Sequence, residues 1–239
     1  MKKILVTGGS GHFASSMKKF FCIDDFKLFY LSREKLDVKN KKNVEEVFKE
    51  ILPDVVIHAA AITRPMIKHE NNPVESILTN IVGTANIAIE CQKNNIKMIY
   101  LSTDHVYEGK KGNYKEDSPI LPINKYAWSK LGGECAVMLL KDYCILRMAA
   151  VQDPFPHKKA LIDSFKSSIY IDDIVKILHK FIDKSGIYNI GGEKKSIYNF
   201  VKNSNPSIDK ISIKEITGVR MPKDVSLNLN KMKEVLKND

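Results

Sequence analysis

Several protein classes need things that this sequence has little of. Only four of its 239 residues are cysteine (Cys22, Cys91, Cys135 and Cys144), with no C-x-x-C pair and no histidine at metal-ligand spacing. That spacing argues against a disulfide framework or a zinc site, so no metal is expected and the thiols read as reduced and buried. Arginine is equally scarce. Arg33, Arg64, Arg147 and Arg220 are the only arginines among 38 basic residues, although the net charge is +10. Proteins that read nucleic acid lean on clustered arginine, whereas these lysines are spread among acids, as in Lys41-Lys42-Asn43-Val44-Glu45-Glu46. The charge therefore reads as a solvated lysine-rich surface that steers anionic substrates, not as a nucleic-acid interface. No apolar run approaches the roughly 18–20 residues that cross a bilayer, so no membrane partner is expected. The apolar stretch after Met1-Lys2-Lys3 is too short for a signal peptide and meets no cleavage site, which points to the cytoplasm. Repeats, low-complexity tracts and Gly/Ser linkers are also missing.

What is present is the composition of a folded globular chain, 44% hydrophobic and 28% charged. Short, almost wholly apolar runs at 3–7, 28–31, 55–58, 98–102 and 143–148 read as strands buried on both faces. Helical patterns over 12–21, 41–51, 74–94 and 125–140 separate them. In the third, Ile77, Ile81, Thr84, Ala85, Ala88 and Ile89 recur at i, i+3/i+4 spacing. Such alternation predicts an α/β fold with a doubly wound parallel sheet, a Rossmann fold. Beyond Arg147 the pattern loosens. Residues 152–168 read as a loop, followed by a helix at 171–182, a strand at 187–190 and helices from Ser196 and Asn230. The expected organisation is a dinucleotide-binding domain over 1–150 and a small substrate lobe over 151–239.

The first strand runs straight into Gly8-Gly9-Ser10-Gly11-His12-Phe13-Ala14, a G-x-x-G-x-x-A turn that opens a helix. Gly8 permits the tight turn, Gly11 the close approach of a pyrophosphate, and Ala14 close helix–strand packing. Free N–H groups at the helix start would then face the anion. The second strand ends Leu31-Ser32-Arg33 with no acid to accept from a free ribose hydroxyl. The planar fork of Arg33 suits a phosphate, so NADPH is favoured, with NAD as the alternative.

Two further pieces belong to one apparatus. The fourth strand ends Leu101-Ser102-Thr103-Asp104, placing a hydroxyl at a carboxyl strand end. Tyr126-Ala127-Trp128-Ser129-Lys130 puts Tyr126 and Lys130 on one helix face, where an ammonium would lower the tyrosine pKa toward useful proton transfer.

These motifs together resemble the extended short-chain dehydrogenase/reductases, and among them the sugar-nucleotide reductases of the dTDP-4-dehydrorhamnose reductase family. Matching stretches run from Leu31-Ser32-Arg33-Glu34-Lys35-Leu36-Asp37-Val38 through Pro53–Ala61 and Ser102–Gly109 to Glu116-Asp117-Ser118-Pro119. Gly186–Gly192 and Met221–Leu227 fit the end of the family pattern, so the resemblance spans almost the whole chain. It implies an NADPH-dependent reductase of a keto group on a nucleotide-linked deoxysugar, acting as a homodimer. Tyr126 would donate a proton to the carbonyl oxygen, Lys130 would hold the nicotinamide ribose, and Thr103 would hydrogen-bond the carbonyl. Gly8, Ser10, Gly11, His12 and Phe13 would line the pyrophosphate, with Asp37 and Val38 at the adenine. Ala59, Ala60, Ala61 and Thr63 would lie along the cofactor, and Asn80 would support the active-site helix. Asp104 and His105 would join Thr103 at the substrate.

The chain departs from the family at His105, where tyrosine is usual, and at Ala14. It departs most between Arg147 and Tyr170, where a longer stretch normally helps to close over the sugar nucleotide. That trimming keeps a second reading open, a non-catalytic NADP-binding regulatory subunit of the kind that binds methionine adenosyltransferase. An epimerase or dehydratase fits less well, because Asp104 is followed by His105 and not by the glutamate base that elimination uses. For the homodimer, the helices at 74–94 and 125–140 are the candidate interface, with Trp128, Leu131, Cys135 and Leu139 on the outer side.

Overall fold

The computed structural model describes residues 1–21 and 24–237, so Cys22, expected as a buried thiol, lies outside the described residues. Six parallel strands form the central sheet: β1 (Lys2–Thr7), β2 (Phe26–Leu31), β3 (Val55–His58), β4 (Lys97–Thr103), β5 (Tyr143–Met148) and β6 (Gly186–Ile190). Their spatial order is β2-β1-β3-β4-β5-β6. The chain leaves β1 in one direction to make β2, then crosses back over β1 to make β3. That reversal opens a crevice at the carboxyl ends of β1 and β3, the place where open α/β sheets take their ligands.

Every residue of β3, and all of β4 after Lys97, is buried, as expected when helices cover both faces. Alternate residues of β1 serve opposite layers. Ile4 and Val6 meet Met17 and Phe21 of the α1 region (α1, His12–Phe20) and Ile174, Val175 and Leu178 of a helix at Ile171–Leu178. Leu5 meets Val44, Val47 and Phe48 of α2 (Lys41–Ile51), with Ile87 and Cys91 beside them. A short helix α3 (Met66–Asn71) follows β3 and leads into the long helix α4 over 73–93. Helix α5 (Lys125–Val137) packs beside α4, with the Asn124 side chain capping it by accepting from the Ala127 N–H at 2.9 Å.

The helix expected over 74–94 is present but not uniform, because its middle, Ile77–Gly83, is a π-helix. The wider turns shift the phase of the apolar stripe. Ile77 and Ile89 are therefore exposed, while Asn80, Gly83, Thr84, Ile87, Ala88 and Cys91 face inward. Three other expectations are corrected. Leu131 does not lie on an outer face but is buried with Val106, Tyr107 and Leu227. Cys135 is exposed, whereas Cys91 and Cys144 are buried; all three are free thiols. Finally, the segment 152–168 is not a plain loop. Lys159–Leu161 pairs with Asp209–Ile211, and Phe165–Lys166 with Lys195–Ser196. These partners lie far downstream, so no local periodicity announced them. Within the C-terminal part, β6 and the helix at Ile171–Leu178 belong to the main sheet and its cover. The remaining short strands form a lobe laced to residues 109–114 by bonds such as Asp224 N–H to Gly109 O (2.9 Å).

Candidate active site

The glycine turn sits at the mouth of the crevice. Gly8 has φ +67°, and a Cβ there would lie 2.9 Å from the Ala60 N and Cα, so the turn rests directly on the end of β3. Gly11 donates to the Gly8 carbonyl (2.8 Å) and caps α1, whose first turn carries no acid and no side-chain cap. The positive end of that helix is thus presented without a competing anion, which suits a pyrophosphate. Ser10, Gly11 and His12 are exposed at the rim, Phe13 is half-buried and Ala14 is buried. The Gly9 N–H donates to the Leu31 carbonyl (2.7 Å), which draws the end of β2 against the turn. Arg33, two residues further on, is exposed and makes no ion pair or side-chain hydrogen bond among the described residues.

Around this cradle the other residues take different parts. The Asp37 carboxylate accepts from the Lys39 N–H (3.1 Å) and so shapes its own turn. The Val38 side chain is buried, and its carbonyl accepts from Asn86 Nδ2 (2.9 Å). Ala59, Ala60 and Ala61 are half-buried along the end of β3, and Thr63 is exposed. Asn80, wholly buried in the π-helix, pairs with the Ile62 backbone through both amide atoms, at 2.8 Å and 2.9 Å. It also donates to Ser129 Oγ (2.9 Å), which donates to the Tyr126 carbonyl (2.7 Å). Asn80 thereby ties the chain beyond β3 to the helix that carries Tyr126.

Thr103, at the end of β4, stands beside the Tyr126 side chain, and its hydroxyl donates to Asp104 Oδ1 (3.2 Å). Burial pushes the Tyr126 pKa up to about 12; Thr103 opposes this, Asp104 adds to it, and Arg64 opposes it. The cation that favours the phenolate is therefore Arg64, which hydrogen-bonds Gln152 (3.0 Å) in the trimmed segment. Lys130 was expected to lower the Tyr126 pKa, but its ammonium lies 4.1 Å from the centre of the Tyr100 ring. Burial brings Lys130 down to about 7, against the pull of Glu134. Helix α5 comes this close because of Gly133, where a Cβ would stand 2.2 Å from the Tyr100 hydroxyl and 2.8 Å from the Asn80 carbonyl.

Sequence reasoning missed three histidine and lysine contributions. His58 ends β3 and is buried between Thr7 (2.8 Å) and Thr84 (3.1 Å). Since Thr84 donates to the Asn80 carbonyl (2.7 Å), it accepts from His58 Nε2–H, so Nδ1 accepts from Thr7. Burial holds His58 neutral, its pKa near 3, and Lys130 adds to that lowering. A polar residue closing an otherwise apolar strand was the available signal. His69, buried on α3, meets Tyr126 edge-on at 5.2 Å, and His105 does so at 6.2 Å. Lys166, from the lobe, pairs with Asp104 at 3.2 Å. A cavity of about 540 Å³ lies elsewhere, between Asn124, Lys125 and Trp128 of the α5 region and residues 216–220.

The switch-point crevice, the glycine turn and the parallel sheet give the chain the fold of the extended short-chain dehydrogenase/reductases. More particularly, the chain belongs to the RmlD substrate binding domain family, whose pattern matches residues 1–169. It is 30% identical over 149 residues to a dTDP-4-dehydrorhamnose reductase of Aggregatibacter actinomycetemcomitans, covering 61% of this chain and 50% of that protein. It is 32% identical over 144 residues to methionine adenosyltransferase 2 subunit beta of Xenopus tropicalis, covering 57% and 43%. The matched region thus spans about half the length of these two relatives. In fold it is similar to a dTDP-4-dehydrorhamnose reductase of Bacillus anthracis solved with NADP, with a TM-score of 0.88 and 24% identity, over 100% of this chain and 94% of that one.

Proposed function

We propose that the protein is an NADPH-dependent reductase of a keto group on a nucleotide-linked deoxysugar. The observation that carries the reading is the Tyr126 side chain beside Thr103 at the carboxyl end of β4, next to the crevice that the glycine turn opens. The bound dinucleotide would supply the hydride to the carbonyl carbon. Tyr126, protonated up to about pH 12, has a proton to give the oxygen at any working pH, which suits reduction. Thr103 orients that oxygen, and Asp104 and His105 extend the substrate side. Gly8, Ser10, Gly11, His12 and Phe13 would hold the pyrophosphate, with Lys130 and Ala59–Ala61 along the nicotinamide half and Thr63 at its edge. Asp37 and the Val38 backbone would flank the adenine. Residues 1–150 act as the dinucleotide domain and 151–239 as the substrate lobe, with the six-stranded sheet borrowing β6 from the latter. Following NADPH oxidation against a panel of 4-keto-6-deoxy nucleotide sugars tests the reading. The trimmed segment before Tyr170 and the kinship with a methionine adenosyltransferase subunit favour a regulatory NADP-binding module as the second reading. Tight NADPH binding with no turnover of any sugar in the panel would select it.

Arg33 is the proposed partner of the 2′-phosphate. Arg33→Ala is expected to weaken NADPH binding by about 1.5–3 kcal/mol, the range for hydrogen bonds to charged groups. NADH binding should barely change. Calorimetry with both cofactors measures this, and equal losses would mean that Arg33 contributes to structure only.

A cytoplasmic homodimer is the proposed working form; no helix is long and apolar enough to cross a membrane among the described residues. The neighbouring helices α4 and α5 leave Val74, Ile77, Leu78, Val82 and Trp128 exposed, and Leu139 just beyond them is 84% exposed. So much apolar surface on two adjacent helices is more than a solvated face shows. Sedimentation at micromolar concentration is expected to give a dimer, and Ile77→Glu with Val82→Glu a monomer. A wild-type monomer would sink the proposal.

A further inference from the structure

Nothing in the sequence marks Lys166 among so many lysines, yet it carries the C-terminal lobe to the buried carboxylate beside Thr103. Asp104 is fully buried, next to Thr103, and the Lys166 ammonium stands 3.2 Å from its Oδ2 with the lysine side chain only 11% exposed. Lys166 is held firmly. Its strand pairs with Lys195–Ser196 on one side, while Phe165 bonds Lys223 O (2.8 Å) and Val225 N (2.9 Å) on the other. Asp224, in that second segment, bonds back to Gly109, beyond the β4 end that carries Asp104.

We infer that Lys166 is a positioning residue whose ammonium neutralises the buried Asp104 carboxylate and so leaves Thr103 and His105 to meet the substrate carbonyl as neutral hydrogen-bonding groups. The inference deepens the reductase reading and rests on it. Thr103 donates its proton to Asp104 Oδ1 (3.2 Å). An uncompensated carboxylate would hold that proton in a charge-assisted bond, whereas one paired with Lys166 releases it more readily to a carbonyl oxygen. His105 is the second group affected. Its Nδ1 is buried with no hydrogen-bond partner among the described residues. The charged and titratable groups around its ring are Asp104 on its own turn, Tyr126 across from α5 and Lys166 from the lobe. Burial lowers the His105 pKa to about 4; Asp104 works against that lowering and Lys166 adds to it. Without Lys166, the Asp104 charge would draw its compensating proton onto His105, and the imidazole would meet the substrate as a cation.

The test uses the full chain and three variants, Lys166→Met, Lys166→Arg and the double variant Asp104→Asn with Lys166→Met. The His105 ring is followed by NMR between about pH 5.5 and 8, assigned with His105→Gln. The wild type and Lys166→Arg should stay neutral across that window, whereas in Lys166→Met the midpoint should rise into it, by about two units or more. Turnover in Lys166→Met should fall by up to about 10²-fold, the scale of a misplaced reacting group, with the KM for NADPH within about twofold. If Lys166→Met does not fold, the double variant, which leaves no buried charge unpaired, decides. In it a His105 that stays neutral supports the inference, because no carboxylate is left to draw a proton onto the ring, and a midpoint raised as far as that expected for Lys166→Met overturns it. A His105 that does not move in folded Lys166→Met overturns it whatever the protein reduces, because the titration needs no substrate. Failure to turn over any nucleotide sugar overturns the reductase reading alone.

Discussion

Tyr126→Phe is expected to lower turnover by about 10²–10⁴-fold, the contribution of a positioned acid to a proton-transfer step. The ring stays, and with it the edge-on contacts to His69 and His105, so NADPH affinity should hold within a small factor. The effect follows from where the hydroxyl sits. It stands beside Thr103 at the end of β4, and its backbone is fixed through Ser129 and Asn80 to the Ile62 peptide. Neither His105 beside it nor His58 is ready to take over. His105 and His58 are held neutral by burial, with pKa values near 4 and 3, and so carry no proton to spare at pH 7. Steady-state rates with the best sugar of the panel, alongside NADPH titration, make the measurement. Turnover equal in the two proteins would remove Tyr126 from the chemistry and leave the regulatory reading in front.

The largest loss of stability is expected from Glu134→Gln. Glu134 on α5 and Arg147 on β5 form a buried pair, with side chains 0% and 3% exposed and Nη2 at 2.8 Å from Oε2. The guanidinium also reaches both carboxylate oxygens through Nε at 3.2 Å and donates to the Tyr107 hydroxyl at 3.0 Å. Ser102 donates to the same carboxylate. Removing one charge strands the other away from water, which costs about 3–5 kcal/mol. For a chain of this size that is a fall of roughly 6–20 °C in Tm. Adding Arg147→Met should recover part of the loss, since replacing both charges leaves nothing unpaired. Thermal melts of the two single variants and the double variant close the cycle. A double variant whose loss equals the sum of the two single losses would mean that the ion pair itself contributes little. Function should suffer too, because Glu134 is the charge that resists the lowering of the Lys130 pKa.

The sheet and the cofactor cradle were legible in the residues. Strands such as 55–58 and 143–148 are continuous apolar runs because both faces of a parallel sheet are buried, and the structure places β3 and β5 on those bounds. The glycine turn was legible for a similar reason: φ +67° and a backbone contact at 2.9 Å leave little choice of residue at Gly8. Tyr126 and Lys130 shared a helix face by simple periodicity. The charge balance of the site was not legible. Lys130 reads as the partner of Tyr126 from spacing alone, yet the direction of its ammonium depends on Gly133 letting α5 settle onto Tyr100. The phase of α4 was set by a π-turn around Asn80, whose amide answers an Ile62 peptide that only the tertiary fold brings near. Lys166 meets Asp104 through a strand whose partners lie at 195–196 and 223–225. Local sequence determines what a segment buries and where it turns, because those depend on neighbours along the chain. Which charge stands beside a buried carboxylate depends on neighbours in space, and for Asp104, His105 and Tyr126 only the packing of lobe against sheet decided it.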